Sequence, residues 1–147
     1  MSSVTRTYFT LSVTDMARAV AFYREVLGPV IRHESDTWTE LKFGDATVAL
    51  HATDRAEPRS TGLGVDVVDL LAAYHAVLRA GGQVRHGPVP ESPGQLSYEV
   101  ADTEGNTFTI SGAGTMPPAG SPAATAGADP SSDSDQPDSL APRGEAG

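Results

Sequence analysis

Two stretches of this chain carry the same succession of hydrophobic and polar positions. In the first, Leu11 and Val13 alternate with Ser12 and Thr14, the period-two pattern of a strand with one covered face. Asp15 follows where a helix N-cap belongs, because its carboxylate can accept from the first unpaired helical N–H groups. Met16, Ala19, Val20, Tyr23, Val26 and Leu27 then fall on one helical stripe, while Arg18, Arg24 and Glu25 lie off it. Gly28-Pro29 stops the helix: glycine suits the left-handed position after a helix, and proline cannot continue one. The pattern predicts a helix over Met16 to Leu27.

The second stretch repeats this order. Leu63, Val65 and Val67 alternate with Gly62, Gly64 and Asp66; Asp69 caps a helix predicted from Leu70 to Ala80, with Leu70, Ala73, Tyr74, Val77 and Leu78 apolar; Gly81-Gly82 ends it. Asp15 and Asp69, Ala19 and Ala73, and Gly28 and Gly82 each stand 54 residues apart. Single matches of cap and stop residues are weak evidence, and the shared element order gives them weight.

The remaining strands follow from alternation and turn residues. After a loose lead-in from Met1 to Arg6, Tyr8 to Val13 is the first strand, with Phe9, Leu11 and Val13 toward the helix and Tyr8, Thr10 and Ser12 on the other side. Val30 to His33 and Trp38 to Phe43 flank a Glu34-Ser35-Asp36 turn, and Gly44-Asp45 leads into Ala46 to Ala52. Asp54 to Thr61 reads as a linker. In the second half, Gln83 to His86 and Gln95 to Ala101 surround a Gly/Pro-rich loop from Gly87 to Gly94. The turn Asp102 to Asn106, with Gly105 or Asn106 at a positive φ, precedes a last strand from Thr107 to Ser111 whose Phe108 and Ile110 face the core. The expected fold class is α+β, built from two strand-helix-three-strand (βαβββ) modules over about residues 4–57 and 61–111.

Composition narrows the picture further. The folded domain is expected over residues 1–112; from 113 to 147 the chain reduces to Gly, Pro, Ala, Ser and Asp, with Met116 and Leu140 its sizeable apolar side chains. Such a tail buries too little to offset the entropy of ordering, so it is expected to be disordered. The tail also holds Asp129, Asp133, Asp135, Asp138 and Glu145 against Arg143 alone, so it supplies four of the nine net negative charges. The folded part is therefore only moderately acidic, which suits a cationic ligand and argues against non-specific nucleic-acid binding. The absence of cysteine excludes disulfides and thiolate metal sites, and no apolar run resembles a signal or a membrane span. A cytoplasmic protein is expected. No Ser-His-Asp order, phosphate-cradling glycine loop or HExxH helix is present.

A duplicated unit opened by SVTDMARAVAFYREVLG and closed by DTEGNTFTI resembles the vicinal oxygen chelate superfamily over about Thr7 to Ser111. That superfamily includes glyoxalase I, extradiol dioxygenases, fosfomycin-modifying enzymes and bleomycin-binding resistance proteins. The resemblance implies two modules whose mixed sheets form a curved, half-open barrel with helices outside and a pocket inside. Metal-dependent members place His or Glu at one position on the first and last strand of each module. In this chain the resemblance puts Tyr8, Gly62, Ala49 and Thr109 at those positions. None is a normal ligand for a divalent cation that takes imidazole or carboxylate, so no metal and no cofactor is expected.

The expected ligand-binding set is Tyr8, Thr10, Trp38, His51, Asp66 and Thr109, lining one shared pocket with Trp38 near its mouth. Tyr8 offers a ring and a phenol, and His51 shares the face of Ala49. Trp38, the single tryptophan, sits with Glu40 and Lys42 on its own face, and Asp66 could pair with a cation. Alternation leaves the facing of Glu40 and Glu99 open. His33, His75 and His86 fall at a strand end, in a helix and at a loop edge, where surface histidines are ordinary.

The expected function is metal-independent binding of a small cationic or aromatic molecule, as in the drug-sequestering members. The alternative is a lyase or dioxygenase-like enzyme with a non-standard metal site. Neither nucleic acid nor a membrane is an expected partner. A homodimer is, because curved sheets of this family associate and leave strand edges to cover.

Overall fold

The structure, a computed structural model, describes residues 2–116. Most of the expected tail lies outside these residues. Both predicted helices form: α1 spans Met16–Leu27 and α2 spans Leu70–Arg79. Each begins on its aspartate, Asp15 accepting from the Arg18 N–H and Asp69 from the Ala72 N–H, both at 2.9 Å. Such caps contribute about 1 kcal/mol each. Gly28 closes α1 in the left-handed conformation, with φ 57°.

The strands are β1 (Phe9–Val13), β2 (Val30–Glu34), β3 (Trp38–Phe43), β4 (Ala46–Ala52), β5 (Ser60–Asp66), β6 (Gln83–Ser92), β7 (Gln95–Ala101) and β8 (Thr107–Ala113). They make two four-stranded sheets, ordered β1-β4-β3-β2 and β5-β8-β7-β6. In each sheet the first strand runs parallel to the last and the other pairings are antiparallel. The architecture is thus the expected α+β pair of βαβββ modules, in two curved sheets that do not close into a barrel.

The strands depart from the sequence expectation in length and, at Phe9, in facing. β6 continues to Ser92, through most of the segment read as a Gly/Pro-rich loop. It is an edge strand and its pairing with β7 breaks register three times, so Pro88 and Pro90 sit where a ladder N–H can be dispensed with. β8 runs on to Ala113, two residues past Ser111 and into the segment assigned to the tail. Phe9, expected on the covered face with Leu11 and Val13, is 55% exposed at the outer end of edge strand β1, whereas those two are buried.

One hydrophobic core serves both modules. Leu11, Val13, Leu41, Val48 and Leu50 of the first sheet and Val100, Phe108 and Ile110 of the second are buried with Val20, Phe22, Tyr23, Val26 and Val77 of the helices. Each fully buried side chain of this size contributes roughly 1.5–3 kcal/mol. Phe22 and Tyr23 cross between the modules, their ring centroids 6.3 and 5.9 Å from that of Phe108.

The turn Asp102 to Asn106 locks the same junction. Its positive φ belongs to Gly105, at 85°. Asp102 is buried and accepts from the Tyr23 hydroxyl at 2.6 Å and from the Glu104 and Asn106 N–H groups at 2.8 and 2.9 Å. Burial and the facing Asp102 carboxylate push the Tyr23 phenol well above the ordinary tyrosine value, so it stays a donor. Glu104 accepts from the Thr14 hydroxyl, the Asp15 N–H and Arg18, and the Asn106 amide donates to the Ser12 carbonyl.

Candidate functional site

Because β1, β3 and β4 turn alternate residues toward the helices, the remaining residues share an open face. Register places Thr10, Ala49, Glu40 and His33 in one row across the first sheet and Ser12, His51 and Trp38 in the next. On this face the rings of Tyr8 and Trp38 meet edge-on at 6.0 Å, and His51 lies 5.9 Å from Trp38. Tyr8 stands one residue before the strand it was expected to open and is 45% exposed.

A carboxylate is fixed beside these rings. Glu40 accepts from the Trp38 indole N–H at 3.1 Å with one oxygen and pairs with Arg6 at 3.0 Å with the other. The indole hydrogen bond, followed by that of Arg6, holds its carboxyl below the usual carboxylate value. The Arg6 guanidinium also lies over the Tyr8 ring, 4.8 Å from its centroid. Neither Glu40 nor Arg6 belongs to the ligand-binding set expected from the sequence. Glu40 was legible as a neighbour of Trp38 on its face, while Arg6 precedes the first strand and gave no signal.

The structure distributes the expected site residues over three places. Tyr8, Trp38 and His51 are brought together, with Thr10 one row away. Thr109 lies on the second sheet, where Ser60, Gly62, Gly64, Glu99 and Thr107 join it around a small recess of about 110 Å³. Asp66 lines a larger cavity of about 480 Å³ between the end of β5, the end of α1 and the β3–β4 turn. Its other lining residues are Leu27, Gly28, Val30, Lys42, Phe43, Gly44, Ala46, Leu63, Gly64, Val65 and Val67.

The donor set at the four positions that hold a metal in metal-dependent relatives does not suit a divalent cation. Tyr8, Gly62, Ala49 and Thr109 offer a phenol, no side chain, a methyl and a hydroxyl. The structure fixes the two open facings: Glu40 pairs beside Ala49 and Glu99 beside Thr109, each with a histidine, His33 or His86, on its far side. Among the described residues no three His, Asp or Glu side chains stand close enough to share a metal ion. Likewise, no helix of the described residues is long and apolar enough to cross a membrane.

Comparison with known proteins places the fold. The model of the Glyoxalase/Bleomycin resistance protein/Dioxygenase superfamily matches residues 6–110. No curated protein matches the chain. Among solved structures, a glyoxalase-related enzyme from Fulvimarina pelagi superposes with a TM-score of 0.62 at 19% identity, over 74% of this chain and 88% of that one. The fosfomycin resistance protein FosX from Listeria monocytogenes gives 0.62 at 13% identity, over 79% and 96% of the two chains. TnmS3, an antibiotic binding protein from a Streptomyces species, gives 0.58 at 21% identity, over 78% and 99%. With two paired βαβββ modules and a family model that spans both, the chain belongs to the glyoxalase/bleomycin resistance protein/dioxygenase superfamily, the vicinal oxygen chelate proteins.

Proposed function

We propose that this protein binds a small cationic aromatic molecule without the help of a metal, on the open face of the first sheet. The observation that carries this reading is the cluster of Tyr8, Trp38 and His51 around the fixed carboxylate of Glu40. Aromatic rings accept a planar ligand by stacking, and a cation over such a ring gains about 0.5–2 kcal/mol. Glu40 stays ionised through the neutral range, and its ion pair with the half-exposed Arg6 is weak enough to give way to a ligand's cation. Thr10 adds an uncharged polar group that orients a ligand and does no chemistry. The donor set at the family's metal positions supports binding over turnover. That a structural relative is an antibiotic binding protein is in keeping with this use of the fold.

Titrating the purified chain with a planar cationic dye such as ethidium tests the proposal through the emission of Trp38. Saturable quenching that is weakened in Tyr8→Ala and in Glu40→Gln is expected. Stoichiometric zinc, nickel, manganese or iron in the purified protein, together with a turnover activity lost on His51→Ala, would instead make it an enzyme.

We further propose a homodimer. β1 and β6 are sheet edges, and Phe9 and Leu71 are 55% and 61% exposed, which gives a second copy both strands and apolar area to cover. Light scattering that finds one chain per particle at micromolar concentration would rule the dimer out.

A further inference from the structure

The two modules meet along two seams that the internal repeat makes equivalent, and what fills one is missing from the other. At the first seam, the five-residue turn Asp102 to Asn106 between β7 and β8 is pressed against the end of β1 and the start of α1. At the second, the corresponding turn between β3 and β4 is only Gly44-Asp45. There, beside the end of β5, lies the cavity of about 480 Å³. The repeat-related glycines report the same asymmetry. A Cβ on Gly82 would stand 2.5 Å from the Ala101 carbonyl and 2.6 Å from the Phe22 ring, whereas one on Gly28 would meet nothing within 4 Å.

We propose that this open seam is a second ligand site, separate from the face carrying Trp38, for an amphipathic zwitterion. Its ligand has an aromatic or branched apolar body and a head bearing an ammonium and a carboxylate. The volume is in the range of small-molecule sites, and Leu27, Val30, Phe43, Leu63 and Val65 give it apolar walls. Its two charged residues are opposite in sign and come from opposite modules, Lys42 from the first and Asp66 from the second. The ion pairs of the described residues are Arg6–Glu40, Arg18–Glu104, Arg24–Glu34, Arg59–Glu57 and Arg79–Glu25, so Lys42 and Asp66 are engaged neither with one another nor with these groups. A zwitterionic head engages both of them at once, a ligand of a single charge only one. β5 is the outer strand of its sheet, so the N–H and C=O groups on its free side are available to the same head.

The test uses the full chain with ¹³C-labelled methyl groups and three probes of one shape: L-tryptophan, tryptamine and indole-3-propionate. L-tryptophan is expected to shift the methyl signals of Leu27, Val30, Leu63 and Val65 while leaving the Trp38 indole signal in place. Tryptamine and indole-3-propionate, each lacking one charge, should bind about tenfold more weakly or worse. Lys42→Met should cancel the advantage of L-tryptophan over tryptamine, and Asp66→Asn its advantage over indole-3-propionate. Gly64 lines both this cavity and the Thr109 recess and has no positive φ and open space where its Cβ would be, so Gly64→Leu puts bulk at their common wall and should abolish the shifts while the rest of the spectrum stays native. Gly64→Val is the milder filling variant should the leucine disturb folding. Absence of methyl shifts at millimolar probe, shifts confined to the Trp38 face, or undiminished binding in a folded filling variant would each overturn the proposal.

Discussion

The filled seam and the open seam descend from one repeated plan, and their difference shows how a few turn residues divide the molecule into a part that holds it together and a part free to bind. At the filled seam a buried carboxylate, a buried glutamate and a buried asparagine satisfy groups on the other module. At the open seam the turn is only two residues long, and Lys42 and Asp66 form no ion pair among the described residues. Stability should therefore depend steeply on residues at the first seam and little on their counterparts at the second.

The largest effect is expected at Asp102. Removing its carboxylate strips acceptors from the Tyr23 hydroxyl and two backbone N–H groups inside the core, so Asp102→Ala should cost about 3–5 kcal/mol. Asp45→Ala, in the exposed turn of the open seam, should change stability by less than about 0.5 kcal/mol. Urea unfolding of the two variants measures the contrast directly, and equal losses would show that the seams are not energetically distinct. Gly82→Ala should follow, at about 1–3 kcal/mol, because its methyl would overlap the Ala101 carbonyl and the Phe22 ring.

Tyr23→Phe is expected to cost about 1–3 kcal/mol, since Asp102 keeps its backbone donors and loses one hydroxyl. It also removes a pH dependence. As the pH rises past the ordinary tyrosine value of 10.0, the unfolded chain releases its phenolic proton while Tyr23 in the fold retains it, so the native state loses stability on the alkaline side. Thermal melts above pH 10 should show this loss in the native sequence and a smaller one in Tyr23→Phe.

Glu104 works on the acid side. Burial pushes its carboxyl up, but Arg18, Thr14 and the Asp15 N–H together outweigh burial and leave it lowered. Its contribution is thus complete above the ordinary glutamate value of 4.5 and disappears as the pH falls from there through the lowered native value. Glu104→Gln should cost about 1–2 kcal/mol near neutrality, discounted because Arg18 is half exposed, and should flatten the melting temperature between pH 5 and 3.

Much of this fold was legible because it is written locally. A capping aspartate, a stripe at helical spacing and a terminal glycine fixed both helices within a residue, and period-two alternation gave the strands of both sheets. The misses share a physical cause: they depend on partners far along the chain. Pro88 and Pro90 signal a loop until β6 is known to be an edge. The Asp102–Asn106 turn reads as a local reversal, and nothing near it announces Tyr23 or Thr14, 79 and 90 residues away. For the candidate site, strand alternation correctly grouped Trp38 with Glu40, yet it could not bring Arg6 to them. Nor could it show that Asp66 lines a cavity walled by α1 and the β3–β4 turn.

The smallest expected effect is also the one that isolates the open seam. Gly64→Ala adds a methyl where nothing lies within 4 Å, at a residue of ordinary negative φ. Replacing glycine at such a position reduces the freedom of the unfolded chain, which stabilises a protein by about 0.4–1 kcal/mol. In a strand, alanine also avoids the cost of glycine's missing side chain. The predicted outcome is a slight rise in the midpoint of urea unfolding with an unchanged slope, the reverse in sign of Gly82→Ala. A loss of more than about 1 kcal/mol in Gly64→Ala would mean that the space beside β5 is closed in solution. The two seams would then be alike, and the cavity between α1 and β5 would not be available to a ligand.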